Sequence, residues 1–136
     1  MSIVNKKLRV GDREFYFLAI LMGLLDLFLQ LRLKALGYGV LNLGFSFGLG
    51  SSGGVILIWV IGALLILGWR NFLKVKSKAW FLVLVGGSVN FVMRVSGGGV
   101  WDYLSIPLMP FRNNLSDIMI SLGVILLVWQ ELKQSA

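Results

Sequence analysis

Apolar and polar positions fall into blocks along this chain, and the blocks predict its architecture. Four apolar stretches stand out, at about 15–31, 54–69, 79–95 and 115–129. Each is slightly shorter than the ~20 residues a bilayer-spanning helix needs, and flanking residues complete the length. Lys6, Lys7, Arg9 and Arg13 precede the first stretch, Arg70, Lys74, Lys76 and Lys78 join the second to the third, and Lys133 follows the fourth. By the positive-inside rule these clusters and both termini face the cytoplasm. The connections 32–53 and 96–114 then lie outside, with Arg32 and Lys34 as mild exceptions.

The first stretch has the basic prelude of a cleaved signal peptide. Asp26 interrupts its apolar region and no convincing small-residue cleavage site follows, so a retained helix is expected. "YGVLNLGFSFGLGSSGG" (38–54) alternates apolar and small residues, which suits one or two short strands and a tight turn. Its "GLGSSG" matches the dinucleotide-binding pattern literally, but no strand–turn–helix unit surrounds it, and a flexible turn is the better reading. "SGGGVWDYLSIPLMPF" (96–111) carries Trp101 and Tyr103, aromatics that favour the membrane interface.

Composition narrows the chemistry. The 136 residues form one domain, 57% hydrophobic and 14% charged, with a mean hydropathy of +0.85. That apolar surface belongs in lipid. Cysteine and histidine are both absent. Thiolate nucleophiles, Ser-His and Cys-His pairs and the usual zinc or haem ligands are therefore excluded. Proton chemistry near neutrality must use carboxylates, a lysine or a tyrosine. The net charge of +7 sits in short clusters beside apolar runs, a topology signal and not a nucleic-acid footprint.

Taken singly, Asp102 reads as a solvated loop residue, and Asp117 in "NNLSD" as a first-turn acid of a capped helix. Asp26, inside a span, is functional by default, or else pairs with Arg32 or a polar group of another helix. Together they say more. Asn90 and Arg94 share one helix face at i, i+4 spacing, and Asn114 and Asp117 lie at i, i+3. With Asp26, Asn42 and Asp102, these groups converge at one outer depth.

In that order the residues resemble lipoprotein signal peptidase (signal peptidase II), the membrane aspartyl protease family of bacteria. "LDLFLQ" (25–30) resembles the family's first-helix Asp motif, with Gln30 where a lysine usually stands. "NLGFSF" (42–47) matches N-x-G-x-x-F. "GGSVNFVMR" (86–94) resembles G-G-x-x-G-N-x-x-D-R, "GVWDY" (99–103) matches V-x-D-F, and "FRNNLSD" (111–117) resembles F-N-x-A-D. Met93 stands at the acid of the D-R pair, Val89 replaces a glycine and Ser116 an alanine.

The resemblance implies a fold: an all-α membrane protein of four transmembrane helices, with a small extracytoplasmic sheet from 38–50 and a short interfacial helix from 101–108. It implies Asp102 and Asp117 as the catalytic pair, with Asp26, Asn42, Gly44, Asn90, Arg94 and Asn114 supporting the site or contacting substrate. The implied substrate is a prolipoprotein cut just before its diacylglyceryl-modified cysteine, at the outer face of the bacterial cytoplasmic membrane, with lipid as the other partner. No metal or cofactor is required, and a monomer is expected. Two other readings stay open: a four-helix proton-coupled transporter using Asp26, and a non-catalytic relative that binds lipidated signal sequences, to which Met93 points.

Overall fold

The computed structural model of the chain describes residues 10–43, 54–107 and 110–135. Four helices dominate: α1 (Val10–Ala35), α2 (Gly54–Val75), α3 (Lys78–Gly97) and α4 (Leu115–Ser135). Their lengths of 26, 22, 20 and 21 residues give roughly 30–39 Å at ~1.5 Å per residue. All four are long and apolar enough to cross a membrane. The apolar runs place the starts of α2 and α4 where they are found. The helices outlast the runs elsewhere, because polar residues at their ends still form helix while reaching toward water. Large apolar side chains such as Phe17, Leu24, Phe28, Trp59 and Leu64 point outward, which is the surface expected against lipid.

The third helix is the centre of the bundle and packs against the other three, most extensively against α4. Small residues permit this. A Cβ on Gly86 would lie 2.6 Å from the Ser116 carbonyl oxygen, and one on Gly123 would lie 2.7 Å from the Ala79 carbonyl oxygen. The two backbones meet where the first turn of α4 begins.

The end bearing the basic clusters is locked by aromatics. Tyr16, Trp69, Phe72 and Phe81 stack at centroid distances of 4.6–5.8 Å, nearly all edge to face. The Tyr16 hydroxyl donates to the Lys76 carbonyl at 2.8 Å, and Lys78 pairs with Asp12 at 2.9 Å. Ser77 caps α3 by accepting from the Trp80 amide.

At the opposite end, β1 (Val40–Asn42) pairs antiparallel with β2 (Val100–Asp102), Val40 opposite Asp102 and Asn42 opposite Val100. β3 (Leu104–Ser105) pairs with β4 (Arg112–Asn113). The small sheet expected from 38–50 is therefore Val40–Asn42 with a partner from the second connection. Gly44 and the remainder of that expected region, 45–50, lie outside the described residues. Val100–Asp102 and Leu104–Ser105 are strands, where a short interfacial helix is expected from 101–108. Val100 and Trp101 are β-formers; the pairing with β1 holds β2 extended, and Gln30 accepts from the Trp101 amide. Gly39 adopts φ +123° and leaves no room for a Cβ beside the Trp101 indole; only glycine fits there.

Gly86→Ala should lower stability by about 1–3 kcal/mol through overpacking, read as thermal midpoint in detergent. Gly11→Ala, with nothing within 4 Å of the added carbon, should be neutral within about 0.5 kcal/mol.

Candidate active site

The first turn of α4 has backbone amides with no intrahelical partner. Asn114, the residue before Leu115, accepts from the Asp117 amide through its side chain at 2.9 Å, and Asp117 Oδ2 accepts from the Asn114 amide at 3.2 Å. This is a reciprocal capping box. The two amides between them, of Leu115 and Ser116, donate to Asp26 Oδ1 and Oδ2 at 3.0 and 3.2 Å. A carboxylate from the middle of α1 thus completes the cap of α4.

Asp26 is wholly buried and has further partners. The Tyr103 hydroxyl donates to Oδ1 at 2.6 Å and Gln30 Nε2 to Oδ2 at 2.8 Å. The Ser116 hydroxyl donates to Oδ2 as well. Gln30 is also wholly buried, and its Oε1 accepts from the Trp101 amide at 3.0 Å. The partners of Asp26 are thus polar groups of α4, of its own helix and of the connection between α3 and α4, and not Arg32. A carboxylate saturated in this way makes a poor proton-coupled transport site.

Asp102 lies at the end of β2. Asn42 and Asp102 are diagonal neighbours on one face of the β1–β2 pair, and Asn42 Nδ2 donates to Asp102 Oδ2 at 3.0 Å. The β3–β4 pairing folds the chain back, so Asn114 Nδ2 donates to Asp102 Oδ1 at 2.9 Å. Asn90 Nδ2 donates to Asp117 Oδ1 at 2.8 Å. Asn114 is therefore bonded to both aspartates at once. Asp102, Asp117, Asn42, Asn90 and Arg94 line one cleft of about 960 Å³, which runs outward past Leu41, Ile61, Phe91 and Phe111. Arg94 is within electrostatic reach of both carboxylates.

Burial pushes the Asp102 carboxyl up from its ordinary value, and the charge of Asp26 adds to this. Hydrogen bonds from Asn42 and Asn114 and the charge of Arg94 pull it back down. Burial, reinforced by the bond to Asp26, raises the Tyr103 phenol as well, which keeps it a donor.

Of the residues singled out in the sequence, Asp102, Asp117, Asn42, Asn90, Arg94 and Asn114 come together, Asn114 as the bridge. Asp26 stands behind them as the anchor of two segments. Met93 is buried in the core and does not line the cleft. Sequence reasoning missed Gln30, Tyr103 and Ser116. Tyr103 is expected at the interface but is 6% exposed with its hydroxyl turned inward. The available signal is Gln30, an amide four residues after Asp26 on the same face of an apolar helix.

A family model described as signal peptidase (SPase) II matches residues 16–133. A solved structure described as a bacterial membrane enzyme, obtained by the in meso method, superposes with a TM-score of 0.70 at 21% identity, covering 88% of this chain and 90% of that one. That likeness concerns the fold. No curated protein matches the chain.

Asp26→Asn turns an amide donor toward groups that already donate. It should cost at least about 2 kcal/mol, seen as a lower thermal midpoint in detergent. An unchanged midpoint would show that the saturated carboxylate does not hold the fold.

Proposed function

Because this chain belongs to the signal peptidase II family, a lipoprotein signal peptidase role follows, and we propose that Asp102 and Asp117 are the aspartyl dyad that performs it. The observation that carries the proposal is Asn114, whose side-chain amide donates to the Asp102 carboxylate and whose backbone N–H donates to the Asp117 carboxylate where the two line one cleft. Two carboxylates in a partly dry site do not both ionise readily, so the pair retains one proton.

The reaction follows from that shared proton. The ionised aspartate takes a proton from water as the water oxygen attacks the scissile carbonyl carbon. The protonated aspartate gives its proton to the carbonyl oxygen, yielding a neutral gem-diol. Collapse of the diol breaks the C–N bond. A diol proton returns to one carboxylate, the other protonates the departing amine, and a carboxylic acid and a free amine remain. No covalent intermediate, metal or cofactor is needed.

The substrate we propose is a prolipoprotein carrying a diacylglyceryl-modified cysteine, cut just before that cysteine. The apolar side of the cleft, with Ile61, Phe91 and Phe111, suits a signal helix and acyl chains entering from lipid. Arg94 and Asn90 suit the substrate backbone. We place both termini in the cytoplasm and the cleft at the outer face. The lock of Tyr16, Asp12, Lys76 and Lys78 gathers cations at the end of the bundle opposite the cleft, which supports that orientation.

Purified protein should convert a lipidated prolipoprotein to its mature form, followed by gel shift. Asp102→Asn or Asp117→Asn should each lower turnover by roughly 10²- to 10⁴-fold or more while the protein still inserts. Full activity in either variant rejects the dyad.

The pH profile supplies a second check. Loss of the shared proton sets the alkaline limb of kcat/KM. Asn42 holds the Asp102 value down, so Asn42→Leu should let Asp102 keep its proton longer and move that limb to higher pH. A limb that stays put or moves down contradicts the assignment.

A further inference from the structure

Two peptide segments from elsewhere in the chain meet at one buried carboxylate of α1, and each carries one of the aspartates. Asp102 is flanked in sequence by Trp101 and Tyr103. The amide of the first is bound by Gln30 and the hydroxyl of the second by Asp26. Asp117 is preceded by Leu115 and Ser116, whose amides are bound by the same Asp26. We propose that Gln30 and Tyr103 are positioning residues for the proposed reaction, suspending the Asp102 strand from Asp26 so that its carboxylate meets Asp117 across Asn114. The proposal rests on Asp102 and Asp117 being the dyad.

Gln30 suits this place because it does two things at once. Its amide group donates to Asp26 at 2.8 Å and its carbonyl oxygen accepts from the Trp101 amide at 3.0 Å. A lysine could satisfy Asp26 but would leave the Trp101 N–H with no acceptor. An ionised glutamate could accept from Trp101 but would set a second carboxylate against Asp26. A protonated glutamate can do both, since one oxygen donates and the other accepts. Tyr103 acts from the other side of Asp102, and a phenylalanine there would preserve the ring while losing the donor. Both side chains are buried, Gln30 fully and Tyr103 at 6% exposure, so water is poorly placed to replace them.

Kinetics of cleavage of a lipidated prolipoprotein, per folded enzyme and across pH, test this, with thermal midpoints measured in parallel. Gln30→Met should lower kcat roughly 10- to 100-fold at every pH, as expected for a small misplacement of a reacting group, with KM nearly unchanged. Gln30→Glu should stay close to wild type while its buried carboxyl, set against Asp26, keeps its proton, and should fall toward Gln30→Met, compared at the same pH, as alkali ionises it. Tyr103→Phe should lower kcat at every pH without acid recovery. A Gln30→Met enzyme with kcat equal to wild type throughout would overturn the proposal, because it keeps an unbranched side chain of similar length and removes the hydrogen bonding. So would losses confined to KM. The failure of the dyad itself has a separate signature, full activity in Asp102→Asn, and is therefore distinguishable.

Discussion

A carboxylate in the middle of an apolar helix must be surrounded by donors, or burying it costs more than the fold can supply. Asp26 is in that position. Its two oxygens accept from two backbone amides of α4, a tyrosine hydroxyl, a serine hydroxyl and a glutamine amide. Satisfying the carboxylate and capping α4 are the same event: the amides that a helix leaves orphaned are the donors that the buried charge requires. Because those donors sit next to Asp102 and Asp117, one electrostatic requirement in α1 sets the relation between two aspartates distant in the chain.

The surroundings of Asp26 are also where this chain leaves the family pattern. Gln30 stands where the resembled motif has a lysine and Ser116 where it has an alanine. Both donate to the same carboxylate, as does Tyr103. Neutral donors thus occupy the place of a cation, and the two departures make sense together where each alone is unexplained. Met93, the departure that touches an acid of the pattern, is a core side chain here. It leaves both aspartates in the cleft.

Much of this was legible in the chain. The four apolar runs predicted four helices, because lipid admits only segments that satisfy their own backbone. The spacing of Asn90 with Arg94 and of Asn114 with Asp117 predicted shared faces, because helical geometry alone decides that. What was not legible depended on contacts between distant segments. Residues 100–102 pair with 40–42 and 104–105 with 112–113, and nothing local announces those partners, so strands stood where a short helix was expected. Tyr103 resembled an interfacial aromatic because its hydroxyl partner lies 77 positions away. Gln30 looked like a departure from a motif until its two partners, Asp26 and the Trp101 amide, were in view.

The central claim is that Asp102 and Asp117 act as one unit that holds a proton beyond the range of an ordinary carboxylate. Infrared titration of the protein in lipid observes that proton directly. It should show a protonated carboxyl stretch that persists above the usual carboxylate range and is lost or shifted in Asp102→Asn and in Asp117→Asn alike. A band that titrates as an ordinary exposed aspartate does, indifferent to substitution at position 117, would contradict that claim.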